Sequence, residues 1–300
     1  MSPLRTLLLC VTLLAAAAPA RGGQSAIPAA FADLGLGARV MGLGGAAAAG
    51  TGRAIDLVWN PAGLAALDAP EILAMQTEQF DLVPAYLLAG ARRWGGGRAV
   101  ALGVLSSGDA LLRENTLLAA WGQELPRGVQ VGAALKLRYA SFGSGGTFDG
   151  VTGHAWGTAL DLGVRGRAGR LRLGLFLEEA LGSMRWDSSI AGTYWESVPP
   201  TLTGGLALPA GDLLLALDLE TGLDDERAAR LAVGLEWAPH DVLALRGGLR
   251  QRLAEDASRF LTLGAGLGKD LAGGGRMQFD TAYLFHELGG SLRVSLGYRW

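Results

Sequence analysis

The side chains able to do chemistry in this chain are few and scattered. Histidine supplies most general bases and metal ligands at neutral pH. The chain has three: His154, His240 and His286. They fall in different links, His154 and His286 expected at one end of the molecule and His240 at the other, so they share no metal. No Ser-His-Asp set follows from the spacing. The one cysteine, Cys10, lies in an apolar run from Leu7 to Ala18. Leu7-Leu8-Leu9 precede it where a lipid-modification site needs small residues. The glycine-rich string at 37–46 is not followed by the Gly-Lys-Ser/Thr of a phosphate loop, and no strand–helix–strand context surrounds it. These observations describe a protein that is not an enzyme, with no cofactor and no metal site. With 26 basic against 28 acidic residues, the charge balance speaks against a nucleic-acid partner.

The remaining charge sits in a pattern, and the pattern belongs to strands. Leu171, Leu173, Leu175 and Leu177 oppose Arg172, Gly174, Phe176 and Glu178. Leu231, Val233, Leu235 and Trp237 oppose Gly234 and Glu236. Period two places one set on each face of a strand. The second face carries Lys136, Arg138, Asp161, Glu236, Arg246, Asp280 and Arg293, which reads as a solvated ion-pair network. A lipid-facing apolar surface around a charged lumen is the signature of a membrane barrel. The links agree, since short ones near 95–97, 126–128, 168–169, 209–211 and 238–241 alternate with longer ones. The count from Glu71 to Trp300 is about fourteen strands, with the pair around Glu71 to Trp94 alternating poorly. The fold expected is all-β, a transmembrane antiparallel barrel over 69–300.

Other features fit an exported barrel. Residues 1–20 read as a signal peptide with a basic Arg5, an apolar run and Ala18-Pro19-Ala20 for cleavage. After Ala20 no stretch of about eighteen apolar residues follows, so no membrane helix is written. The 47 glycines are about twice ordinary usage. Gly132, Gly163, Gly174, Gly234 and Gly264 lie inside alternating segments, where strands bend or backbones approach closely. The chain's last residues alternate to an aromatic end, and Tyr298 and Trp300 resemble the insertion signal of outer-membrane barrels. The long link from Leu181 to Pro200 carries Met184, Trp186, Ile190, Tyr194 and Trp195. These form an outside hydrophobic surface for a ligand, or pack together within an aromatic girdle.

Residues 21–68 differ in kind. From Phe31 to Leu67 alternation is scarce and Gly and Ala dominate. This stretch contains Gly37-Ala38-Arg39-Val40-Met41-Gly42-Leu43-Gly44-Gly45-Ala46 and then Trp59-Asn60-Pro61-Ala62-Gly63-Leu64. The two strings resemble the paired N-terminal motifs of the PorV/PorQ outer-membrane proteins. The Asn-Pro-Ala element is shared with FadL-type long-chain fatty-acid transporters. The resemblance implies an N-terminal hatch inside the lumen of a fourteen-stranded barrel. The family's Ala-Asp-Asp-Ala step is replaced here by Ala49-Gly50-Thr51-Gly52-Arg53-Ala54, with Asp56 the only nearby acid. Packing is the main expected role of the motif, with glycines letting the hatch pass close to the wall and Asn60-Pro61 setting a turn. Two functions follow: a passive channel for hydrophobic molecules, as in FadL, or a PorV-like barrel binding secretion-system proteins. The former predicts an apolar pocket between hatch and wall and a kink or side opening in one strand. The partners implied are outer-membrane lipid, the barrel-assembly machinery, and a hydrophobic ligand or secretion proteins, with the chain itself monomeric.

Overall fold

The period-two segments do form strands, and the strands close on themselves. The structure, a computed structural model, describes residues 34–80, 82–143, 150–223, 227–254, 258–287 and 289–300. The expected signal peptide, 1–20, and Phe31 lie outside them. The strands are β1 (Glu71–Gln79), β2 (Val83–Arg93), β3 (Arg98–Gly108), β4 (Leu112–Glu124), β5 (Gln130–Phe142), β6 (Gly153–Ala168), β7 (Leu171–Glu178), β8 (Ser183–Ser188), β9 (Gly192–Ser197), β10 (Thr201–Ala210), β11 (Leu213–Gly222), β12 (Arg230–His240), β13 (Leu243–Arg252), β14 (Arg259–Asp270), β15 (Arg276–His286) and β16 (Gly289–Arg299). Each pairs antiparallel with its neighbours. Because β1 pairs with β16 and β5 with β6, the ring β1–β7 and β10–β16 is closed. It is a barrel of fourteen strands with two extra strands, β8 and β9. Closure removes the open edges that would otherwise leave backbone donors and acceptors unpaired.

The outer surface is apolar along its middle and aromatic at both ends. Exposed leucines run along β11 and β14, at Leu213, Leu215, Leu217, Leu219, Leu261, Leu263 and Leu267. Trp94, Trp121, Trp237, Tyr298 and Trp300 mark the end with the short turns. Tyr86, Trp156, Tyr283 and Phe285 mark the other, loop end. Paired aromatic girdles of this kind flank the lipid band of membrane barrels.

Three expectations change. The strict alternation of link lengths does not hold, because 80–82 and 109–111 at the loop end are as tight as the turns opposite. The link from Leu181 to Pro200 is not a loop but the β8–β9 hairpin, and it pairs with β6 from Gly153 to Thr158. β7 reaches only Glu178, so the hairpin takes its place beside the outer half of β6; at the break Glu179 has φ +57°. The poor chemical alternation of β1 and β2 also has a cause. Burial alternates from Glu71 to Glu78 and from Ala85 to Arg92, but among the inward residues Leu73, Met75, Ala85, Leu87 and Ala89 are apolar. They face packed hatch side chains, not water.

The last strand completes the ring: Tyr298 stands opposite Ile72 and Met277, and Arg299 opposite Glu71 and Arg276. Deleting Tyr298 to Trp300 is expected to open one end of the seam. The compact, heat-sensitive species on an unboiled gel should then fall to background, and a normal amount of it would show that closure does not need these residues.

Candidate functional site

The segment from Leu34 to Asp68 lies inside the barrel as a hatch. Its helices are α1 (Ala38–Gly42), α2 (Asp56–Trp59) and a 3-10 helix at Pro61–Ala66. Helices this short do not persist alone, so the wall must hold them. It does so by answering the hatch's backbone groups, which are buried and would otherwise be unsatisfied. At α1, Ala38 N donates to Ser295 Oγ at 2.9 Å, and Thr262 Oγ1 donates to the Gly42 carbonyl. Ala47 N and Ala48 N both donate to one oxygen of Asp218, each at 2.7 Å. Ala54 N donates to Glu71 at 2.8 Å. Arg293 donates to the carbonyls of Gly35 and Leu34, at 2.7 and 2.9 Å.

Where side chains do not reach in, glycines let the hatch backbone press on the wall. Gly122 of β4, Gly132 of β5 and Gly163 of β6 stand side by side in register. A methyl group at Gly132 would overlap the Pro61 carbonyl carbon and Ala62 N, and one at Gly163 would overlap Asn60 Oδ1. Gly174 and Gly205 pair beneath Ala48, and Gly234 and Gly248 pair beneath Leu43 and Gly44. Gly264 lies against Gly42. The five alternating-segment glycines singled out from the sequence are thus inward positions under the hatch.

The motif residues are placed as follows. Gly37 caps α1 with φ +86°. Gly44, with φ +69°, packs on the backbones of Leu249 and Val233. Gly45 lies over Trp59, whose Nε1 donates to the Leu36 carbonyl at 2.8 Å. Asn60 is buried; its Oδ1 accepts from Ala62 N, capping the 3-10 helix that Pro61 opens, and its Nδ2 donates to the Ala48 carbonyl. A Cβ at Gly63 would overlap the Asp56 carboxylate. That carboxylate accepts from Thr51 N and Gly52 N, at 2.8 and 2.7 Å, and from Thr51 Oγ1. Burial raises its pKa above the ordinary carboxylate value, against the pull of Arg165 and of the Thr51 and Gly52 donors. The single acid therefore organises the substituted 50–53 turn. The gained Arg53 is paired at 2.7 Å with wall Glu71.

The charged lumen is drier than the sequence pattern implied. Arg39 of α1 binds Glu236 at 2.8 Å, Glu236 binds Arg246 at 2.6 Å, and Arg246 binds Asp280 at 2.7 Å. Lys136 binds Asp161, Glu178 and Glu179, and Arg138 binds Glu179. Most of these side chains are buried. The first chain ties the hatch to β12, β13 and β15; the second braces the break at the end of β7. Asp218, Ser295 and Thr262 could be recognised as inward residues from alternation, but nothing in the sequence marks them, or Glu71, as hatch partners.

Two of the cavities among the described residues adjoin the hatch. One, of about 460 Å³, is at the loop end between Met41 and Gly44 of the hatch and the ends of β1 and β12–β15. Phe80, Phe260 and His286 stack along it, with the Phe260 and His286 rings 4.2 Å apart. Arg230, Arg250, Arg252 and Arg293 also line it. The other, of about 30 Å³, is lined by Gly37, Ala38, Val40, Arg53, Glu71 and Ser295. The segment Gly35–Met41 separates the two. None of these aromatic residues was picked out from the sequence as a site residue, because each lies at a strand end next to a link and they meet only when strands distant in sequence close the ring.

The five residues assigned to an outside surface divide between two faces. Met184 is fully buried with Ala140, Ala155 and Val198. Trp186 donates to Glu196 at 2.6 Å and stacks with Tyr194 on that same inner side. Trp195 points outward and Ile190 lies in the connection between β8 and β9; both are exposed. Tyr298 and Trp300 stack on the outside of β16, centroids 5.5 Å apart. Of the histidines, His154 and His286 lie at the loop end and His240 at the turn end.

No protein-family model matches the chain, and no curated protein matches it. Solved structures of the same fold do. CymD, a monoaromatic hydrocarbon channel, superposes with a TM-score of 0.61 at 14% identity, covering 88% of this chain and 96% of that one. A FadL homologue of Pseudomonas aeruginosa gives 0.61 at 11%, covering 88% and 97%. The toluene transporter TodX of Pseudomonas putida gives 0.53 at 12%, covering 81% and 92%. At these identities the likeness establishes the fold. The resemblance to PorV/PorQ rests on the hatch motifs.

Two substitutions test how the hatch is held. Gly132→Val should push Pro61 and Ala62 off the wall at a cost of roughly 1–3 kcal/mol, giving a protease-sensitive hatch within an intact, heat-shifting barrel. Glu236→Gln should leave Arg39 and Arg246 poorly paired and lower stability by about 3 kcal/mol, with flickering conductance in a planar bilayer. A hatch as protected as in the parent protein would refute the first, and an unchanged melting curve the second.

Proposed function

We propose that the protein is a channel of the bacterial outer membrane, exported by a cleaved signal peptide, through which hydrophobic small molecules pass inward. The observation that carries this reading is the loop-end cavity. Its volume, about 460 Å³, is in the range of small-molecule sites. Met41, Leu284 and the stacked Phe80, Phe260 and His286 offer an apolar, aromatic surface. The arginines beside them suit a molecule with one polar end. The names of the solved channels of this fold, for monoaromatic hydrocarbons and toluene, support the hydrophobic class. The apolar outer band and the two aromatic girdles support the placement in a membrane.

The hatch makes such passage a gated one. A molecule in the larger cavity meets the segment Gly35–Met41 before the smaller cavity beyond. That segment is held by polar contacts, namely Arg293 on two carbonyls, Ser295 on Ala38 N and Glu236 on Arg39. Such contacts can be exchanged for water one at a time. A hatch held only by apolar packing would have to leave as a block.

Cells making the protein should accumulate a labelled hydrophobic probe, such as toluene or oleate, faster than cells lacking it. Equal uptake would overturn the function. The pair Ala38→Cys and Ser295→Cys should form a disulfide between neighbouring positions, since the only native cysteine lies in the expected signal peptide. Oxidation should reduce uptake to the level of cells without the protein, and a reductant should restore it. Undiminished uptake by the oxidised form would show that this segment does not stand in the path.

A further inference from the structure

The outward face of the β8–β9 hairpin carries a row that neither the hatch nor the cavities use. Tyr139 of β5 stands opposite Trp156 of β6, Trp156 opposite Arg185 of β8, and Arg185 opposite Trp195 of β9. Directly opposed residues are about 5 Å apart at Cβ, so the Arg185 guanidinium emerges between two indoles. Trp156 and Trp195 are 63% and 65% exposed. Holding the hairpin in place does not require them. That is done on its other face by Met184, Val198 and the Trp186–Glu196 hydrogen bond.

The row caps the lipid-facing stripe of β5, where Leu135 and Leu137 are exposed below Tyr139. It therefore stands where the apolar band gives way to the loop end. Arg185 is exposed and forms no ion pair among the described residues. The nearest acid on its own face is Asp187, one row further out, opposite His154 and Thr193. Elsewhere at this end Tyr86 is opposite Ser106, and Tyr283 is opposite Leu292 and Leu263. Neither has a cation directly opposite it. Here alone among these aromatics a single guanidinium is flanked by two rings on a lipid-facing surface.

We infer that Arg185, between Trp156 and Trp195, binds the phosphate of an outer-leaflet glycolipid. The guanidinium fork matches phosphate oxygens in pairs. The indoles, apolar in body with one N–H, suit the sugar and the upper acyl chain at the membrane interface. A free phosphate would leave both indoles without a role. The inference rests on the reading of the chain as a membrane barrel.

The test uses the whole mature protein in detergent micelles, with lipid retention read by native mass spectrometry. The probes are bisphosphorylated lipid A and the same lipid with its phosphates removed. The parent protein should retain the phosphorylated lipid, and Arg185→Ala and Arg185→Gln should each weaken retention about tenfold, the equivalent of 1.4 kcal/mol. Trp156→Ala with Trp195→Ala should weaken it as well, and Arg92→Ala at the turn end should not. Equal retention by the Arg185 variants, or equal binding of the dephosphorylated lipid, would overturn the inference. Displacement by millimolar inorganic phosphate would overturn the lipid assignment. A heat-dependent gel shift, run on every sample, reports barrel folding separately: its absence from the parent protein would fail the membrane reading, not this site.

Discussion

A chain that runs through the inside of a closed barrel cannot use the barrel's own ladders to satisfy its backbone. The wall strands have already paired with one another. Every buried N–H and C=O of the hatch must find a side chain pointing inward, another part of the hatch, or a cost of desolvation. This constraint accounts for much of what the wall carries. Asp218 takes two amides, Glu71 takes an amide and an arginine, Ser295 takes the start of α1, and Arg293 covers two carbonyls. The same constraint accounts for the glycines, since a backbone can lie close to a wall only where the wall has no Cβ. The registered glycines of β4, β5 and β6 form one such trough and those of β12 and β13 another.

The lumen is consequently divided by what faces the hatch. Toward β1–β4 the interior is an apolar core, in which Leu57, Leu64 and Leu67 meet Leu73, Leu87, Leu105 and Leu118. Toward β12–β15 it is polar and charged. Apolar contact holds without direction, whereas the Arg39–Glu236–Arg246–Asp280 chain fixes orientation. Buried pairs of this kind add little net stability over an apolar equivalent, yet removing one member is costly. They suit a part that must sit in one position. The large cavity adjoins this charged side.

The loop end of the wall is asymmetric as well. β5 and β6 rise beyond the break in β7, and the β8–β9 hairpin adds two strands to that rise. The buried cluster of Lys136, Asp161, Glu178, Glu179 and Arg138 lies at the foot of this extension. It secures the point where one strand leaves the ring and another begins. Glu179, just past the end of β7, has φ +57° at that point.

The sequence by itself determined the fold class, a ring of about fourteen strands, and the contrast between the stretch before Leu67 and the alternating segments after it. Alternation, turn composition and the loss of both between 31 and 67 are local signals, readable without knowing what lies across the molecule. It also marked the inward glycines, because a glycine inside a strand needs a close neighbour to explain it. Only the tertiary structure decided which hatch atom each glycine meets, that Glu236 belongs to Arg39 and Asp218 to Ala47 and Ala48, and that Phe80, Phe260 and His286 share one cavity. It alone turned the 181–200 link into a hairpin and showed β1 and β2 to be regular. Those strands hid their period because apolar residues occur on both faces, toward the outside and toward the hatch. The partners are separated by up to some 260 residues along the chain, as for Arg293 and Leu34. Which of them meet is set by ring closure and by the register of every strand between, and no short stretch of sequence contains that information.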